Sequence, residues 1–492
     1  MKGGLSQRRK GRKEKKEKGI KMQKRTDRRD FMKMLGAAGV SAAAMGAPRL
    51  WGADKIDAPK ATADTLILLW MAGGMAHTET FDPKKYTPFS PGVDAKSVLS
   101  TFPSINTVVD NIKFSQGLES IAKVMDRGAL IRTFKAADLG AILYSRHQFH
   151  WHTGYVPPQS VAVPHLGAVI AKTLGPKNPD VPAFIDIAEP MKSAAETEVV
   201  KAFLTSGFLG SEYGPFMIPD PKRPAERVTP RIEAGRFENR YKLYKALAEK
   251  SPIGELASSY QKESLITSME KAHRLMNSPA VSAFDLSKEP KEIYDRYNTS
   301  NFGLGCLLAR RLTEVGARFI EVHYEYVPFG HWDTHDSGHK RMADLKRTID
   351  GPIAQLVLDL EKRGLLNRTL IVMASEFSRD PLIEGKPDKP VKNQVDTPAK
   401  MAQEKHYGMH AHLTSAGSVL MFGGGIKKGF AYGKTSEEYP ATTVEKPVEM
   451  PDLHATIYRA MGISAKHSFE IEQRPFYVTE DGKGKPIADL FA

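Results

Sequence analysis

The stretch "TLILLWMAGG", residues 65–74, decides the class of fold. An apolar run closed by Gly73-Gly74 describes a strand buried on both faces. Similar runs recur as "ALIRTF" (129–134), "VPAFIDI" (181–187), "ARFIEVHY" (317–324), "TLIVMAS" (369–375) and "SVLMFGGG" (418–425). Helical patterns lie between them. The clearest spans 340–363, where Met342, Leu345, Ile349, Ile353, Leu356, Val357 and Leu360 trace one face. Strands alternating with helices predict an α/β fold with a central, mostly parallel sheet flanked by helices on both faces. Ligands of such sheets sit beyond the carboxyl ends of the strands. Residues 230–300 read as mainly helical and charged, broken at Pro252 and Pro279. Residues 84–115 and 380–410, rich in Pro, Lys and Asp, read as long surface loops. The expectation is one domain over 54–492 with a helical insertion at 230–300.

The formal charge of +14 is concentrated at one end. Residues 1–53 hold 16 of the 71 Lys and Arg and 4 of the 57 Asp and Glu, a net +12, which leaves about +2 for the body. No basic face is implied, so nucleic acid is not an expected partner. In "RTDRRDFMKMLGAAGVSAAAMGAP", Arg28-Arg29 precede an apolar stretch over 34–47 that is shorter than the roughly 20 residues a bilayer span needs. A charged start, a short apolar core and small residues beyond it describe a secretory signal. The arginine pair resembles the twin-arginine signal, which implies export to the periplasm or beyond. A basic tail followed by a core helix is the alternative. Met22 also offers a later start, and a signal retained as an anchor stays open. That route carries folded and often cofactor-loaded proteins, which suits a metalloprotein. With Cys306 as the one cysteine, no intramolecular disulfide framework exists.

Ligand-type residues cluster beside the strands. His77, Glu79 and Asp82 follow the first, and "GHWDTHDSGH" (330–339) follows "ARFIEVHY". Glu376 and Arg379 follow "TLIVMAS", while His406, His410 and His412 precede "SVLMFGGG". Distant clusters brought to one sheet edge can build a metal site, because each ion needs three or more N or O donors. The spacing of His331, His335 and His339 also fits a solvated helical stripe. Gly330 and the Asp-Ser-Gly run instead favour a loop leading into a helix near His339. Only its middle, Asp333 and His335, would then face a pocket. Glu376 has an alternative role as a strand-end partner of Arg379. His273 and His467 read as surface residues.

"GGMAHTETFDPK", "AFDLSKEP", "FGLGCLLARRLTEVGARFIEV", "WDTH", "LEKRGLLNRTLIVMASEFSR" and "MPDLHATIYRAMGI" together resemble the bacterial "domain of unknown function 1501" family, plentiful in planctomycetes. The resemblance runs from about residue 60 to the C-terminus. It implies an alkaline-phosphatase- and sulfatase-like sandwich, a fold whose members use one or two metal ions to hydrolyse phosphate or sulfate esters. Several ligands of that superfamily are altered here. Its Asp after the first strand falls near Gly73, its Asp-His pair becomes Glu376-Phe377, and its Asp-x-x-x-His becomes Asp333-x-His335. The last ligand falls on His412, preceded by Ala411, and no residue matches the nucleophile. Cys306 lies in an apolar helical run and reads as a packing residue.

The resemblance implies a metal-dependent hydrolase of small-molecule or polysaccharide esters. His77, Asp82, Asp333, His335, Glu376 and His412 would hold one or two divalent ions of Zn, Mn, Ca or Mg. Arg379 would clamp the anion, and His147, in "SRHQFHWHTGY", would orient substrate or protonate a leaving group. The altered ligands equally suit a non-catalytic, secreted binding or scaffold protein that keeps the fold.

Overall fold

The computed structural model describes residues 58–140, 142–188, 205–229, 233–250, 259–471 and 474–492. The twin-arginine region, the Met22 alternative and Pro252 lie outside the described residues. All described residues belong to one compact unit, Asp57–Ala492.

The centre is an eight-stranded sheet made of β1 (Thr65–Met71), β2 (Gly128–Ile131), β3 (Phe184–Ile187), β4 (Phe216–Ile218), β5 (Phe319–Tyr324), β6 (Thr369–Ala374), β7 (Val419–Gly423) and β8 (Phe430–Tyr432). Their order across the sheet is β8-β2-β7-β6-β1-β5-β3-β4. β1 pairs in parallel with both β5 and β6, and β7 alone runs against its neighbours β6 and β2. The expected mostly parallel sheet is therefore observed. All seven residues of β1 are buried. Ile67, Leu69 and Met71 enter one core layer, while Leu66, Leu68 and Trp70 enter the other. That two-sided burial is why the strand reads as an unbroken apolar run.

Helices cover both faces. Helices α1 (Tyr144–Thr153) and α2 (Leu166–Leu174) lie on the Trp70 side, whereas α3 (Ala234–Lys250) and α4 (Ser259–Met276) form a pair joined by Lys245–Glu270 at 2.7 Å. Next come α5 (Asn301–Glu314) and α6 (Gly338–Lys362), on the Met71 side, and α7 (Met450–Ala460), which returns to the Trp70 side. The predicted apolar face of α6, from Met342 to Leu360, is buried throughout. The stretches expected as loops carry short strands. Ser378–Asp380, Gly385–Lys386, Lys389–Pro390 and Ala411–Leu413 form a small four-stranded sheet. Segments of two or three residues are too short to show a period of two, so the sequence pattern does not reveal them.

The topology fixes where chemistry can gather. β1, β5 and β6 end at Met71, Tyr324 and Ala374 on one edge, with Met71 opposite Tyr324 and Trp70 opposite Ala374. Because β7 is reversed, its beginning lies at that same edge. The Ala411–Leu413 strand that precedes it thus delivers His412 to the ends of the parallel strands.

Candidate metal centre

After β5 the chain makes a tight loop before α6 begins at Gly338. Phe329, His331 and Ser337 all take positive φ values, uncommon for residues with side chains. The fully buried Trp332 ring anchors this loop, and Thr334 Oγ1 ties it to Met409 O at 3.0 Å. Asp333 Oδ2 accepts the Phe329 N–H at 2.8 Å, which leaves Oδ1 free to face inward. His335 Nε2 lies 2.9 Å from that oxygen and Arg379 Nη2 2.8 Å from it.

His412 arrives from the small sheet, where it stands opposite Arg379 in register. Glu384 holds it twice, accepting the His412 backbone N–H at 3.0 Å and the ring Nδ1–H. A carboxylate on Nδ1 fixes the tautomer, so Nε2 presents its lone pair to Asp333 and His335. One ligand atom from each of Asp333, His335 and His412 lies within 4.8 Å of the other two. Two imidazoles, that of His412 with its Nε2 lone pair turned inward, one carboxylate and an outer carboxylate on a ligand histidine are the donor types of a transition-metal or zinc site. With two nitrogens, this set suits Zn or Mn better than the oxygen-seeking Ca and Mg.

A fourth group completes the cluster. The hydroxyl of Tyr144, the first residue of α1, contacts Asp333 Oδ1 and His412 Nε2, and lies 2.9 Å from His335 Nε2 and 3.0 Å from Arg379 Nη2. Burial pushes the Tyr144 phenol well above its ordinary range, opposed by Arg379 and reinforced by Asp333. Burial likewise holds His412 well below the usual histidine value, with the Arg379 and His335 charges adding to it. Asp333 stays ionised against burial, because His335 and Arg379 hydrogen-bond and attract its carboxylate. Asp333, His335, His412, Glu384, Arg379 and Tyr144 are each no more than 5 % exposed.

The remaining candidates sit in different surroundings. Glu376 is one peptide away, accepting Gly73 N at 2.8 Å and Gln148 Nε2 at 3.2 Å; burial raises its pKa. The Arg379 guanidinium donates to the carbonyls of Gly73, Gly74, Thr334 and His410 as well as to Asp333 and Tyr144. Its donors are thus directed to backbone and cluster. His77 turns away, with Nδ1 on Ser378 Oγ at 2.7 Å and Nε2 on Ala441 O at 2.9 Å. Asp82 meets Lys84 at 3.2 Å and Arg132 at 3.5 Å, and also accepts from Thr435. His147 Nδ1 bonds back to Leu143 O at 3.0 Å, and its ring stands edge-on to Phe377. His331 binds Glu325 O, and His339 stacks on Phe102, so both lie outside the cluster. Sequence reasoning missed Tyr144 and Glu384. Tyr144 adjoins the quoted histidine-rich stretch, but an aromatic before a helix carries no chemical signature. Glu384 lay in a segment read as loop.

A family model described as "Protein of unknown function (DUF1501)" matches residues 63–491. No curated protein matches the chain. Among solved structures, a protein of the alkaline phosphatase superfamily from Vibrio parahaemolyticus is 11% identical with a TM-score of 0.36, covering 88% of this chain and 76% of its own. The alkaline phosphatase of the Antarctic bacterium TAB5 is 11% identical with a TM-score of 0.31, covering 75% and 95%. A sulfatase from Pseudoalteromonas sp. is 12% identical with a TM-score of 0.32, covering 93% and 77%. At such scores these similarities carry nothing about the site.

Proposed function

The chain belongs to the Protein of unknown function (DUF1501) family, and from the geometry of its site we propose that it is a metal-dependent hydrolase of phosphate or sulfate esters. The observation that carries this is the convergence of Asp333, His335, His412 and Arg379 on the Tyr144 hydroxyl. Asp333, His335 and His412 would hold one divalent ion, which would polarise a phosphoryl or sulfuryl oxygen and lower the pKa of a water nucleophile. Glu384 orients His412 for that task. Tyr144 holds a proton at Oη and passes it to the departing ester oxygen, while Arg379 stabilises the phenolate left behind. The exposed Phe329 ring lies 5.1 Å from the His335 ring, and substrate would approach from that side. Small-molecule and polysaccharide esters are both candidate substrates. Export by the twin-arginine route, with a periplasmic or extracellular destination, belongs to the same proposal.

The test compares p-nitrophenyl esters with alkyl esters, whose leaving groups need a proton more. Tyr144→Phe should retain metal and lose about 10²–10⁴-fold in kcat on the alkyl esters, and much less on the p-nitrophenyl esters. Equal losses on both would remove Tyr144 as the acid. The closure of the cluster and the occupied donors of Arg379 favour a second reading, a secreted binding or scaffold protein. Stoichiometric metal without turnover of any such ester would decide for it.

A further inference from the structure

A second polar cluster lies deeper in the fold. In β5, Ile320 and Val322 enter the Met71-side core, so Glu321 and His323 project to the opposite face, toward α1 and α2. Asp186 of β3 stands directly opposite Glu321 in the parallel register, on the same face. Both carboxylates are fully buried. Neighbouring strands lie about 4.8 Å apart, and like charges placed side by side there destabilise a sheet. Removing them from water is unfavourable unless positive charge accompanies them. Among the described residues, no lysine or arginine is paired with either.

The imidazoles around them differ in tautomer. His152 Nδ1 lies 2.8 Å from Gln148 O, a carbonyl that can only accept, so Nδ1 carries the proton. Its Nε2 then presents a lone pair to Glu321 Oε1 at 2.7 Å. Two lone pairs at that distance require a cation or a second proton between them. His165 is the reverse case. Its Nδ1 accepts the Gly167 N–H at 2.9 Å, capping α2, which places the proton on Nε2, 3.0 Å from Glu321 Oε2. His323 Nε2 lies 2.8 Å from Asp186 Oδ1 and 3.4 Å from Glu321 Oε1. Neither approach is aligned as a hydrogen bond, and His323 Nδ1, His323 Nε2, Asp186 Oδ1 and Glu321 Oε2 are left without one. Oxygen and nitrogen atoms crowded together without hydrogen-bond alignment are what a shared cation explains.

We propose that His152, His323, Glu321 and Asp186 form a second divalent-cation site, independent of the Asp333 centre, with His165 Nε2 as an outer neighbour of Glu321 Oε2. Two imidazoles and two carboxylates neutralise a divalent charge and suit Zn, Mn or Fe. His323 also borders a cleft of about 550 Å³, lined further by Asp220, Lys222, Arg223 and Glu325, which gives an ion a route from solvent.

The test is metal analysis of the full chain after dialysis against Zn(II) or Mn(II), with folding checked by circular dichroism. An Asp333→Ala/His412→Ala double variant, which lacks the first centre, should keep about one equivalent of metal. Adding Glu321→Gln, or His323→Gln if that chain does not fold, should remove it. A folded double variant that binds no metal overturns the proposal and leaves the cluster as imidazolium–carboxylate pairs. Metal that survives the substitutions at Glu321 and His323 overturns it as well.

Discussion

Gly73 closes the turn that follows β1, and the structure says why no side chain is tolerated there. Its φ is +123°, and a Cβ would sit 2.7 Å from Asp333 N and 2.9 Å from the Trp332 carbonyl carbon. Both neighbours are backbone of the loop that carries Asp333 and His335, so neither can swing aside. Gly73→Ala therefore combines an unfavourable backbone conformation, about 1–2 kcal/mol, with overpacking of about 1–3 kcal/mol. The sum, about 2–5 kcal/mol, is a large part of a typical domain's stability. Thermal melts should show the midpoint falling by roughly 2–6 °C, since the unfolding entropy grows with chain length. The loop should also shift away from His412, so metal retention falls with it. Gly73→Asp should fail in the same way. A Gly73→Ala protein with unchanged melting and metal content would refute the close approach of these backbones.

Removing the carboxylate behind His412 should be felt at the metal: Glu384→Gln should weaken affinity by about 10–100-fold in chelator competition, with the fold intact. Burial raises the Asp380 carboxyl to about 6, so the folded state holds a proton that the unfolded chain releases near pH 4, and this contribution to stability is lost as pH rises from about 4 to 6. Asp380→Asn, which can still accept the Leu382 and Ile383 N–H groups, should stabilise the protein at pH 7 by up to about 3 kcal/mol and change little at pH 4. Burial holds His77 and His454 neutral down to about 4, so each costs stability as pH falls from about 6.5 to 4. Melts of His454→Gln should show a weaker loss over that window. Arg28→Lys with Arg29→Lys should leave the protein in the cytoplasm, and unchanged delivery across the membrane would remove the twin-arginine assignment.

Strands buried on both faces announced themselves, since β1 and β6 have no polar residue beyond their first threonine. β5 was legible as a strand, but the polar face made by Glu321 and His323 was not. Its meaning depends on Asp186, which lies over 130 residues away and becomes a neighbour only through the parallel register. The same limit applies to the site. Asp333 and His335 were readable because glycines and short polar residues break the helix before His339, leaving the middle of the loop at the sheet edge. His412 was readable from its place just before β7. Tyr144 and Glu384 act through tertiary contacts alone, and neither residue type nor spacing marks them. His77 and Asp82 follow β1 closely, yet the chain turns after Gly74 and delivers them to Ser378, Ala441 and Lys84.

Anomalous diffraction from crystals grown with Zn(II) or Mn(II) tests the central assignment most directly. For zinc, a peak is predicted about 2.0–2.2 Å from Asp333 Oδ1, His335 Nε2 and His412 Nε2 together. Saturating metal with no anomalous density among these three atoms, and Tyr144 Oη still hydrogen-bonded to all of them, would contradict it.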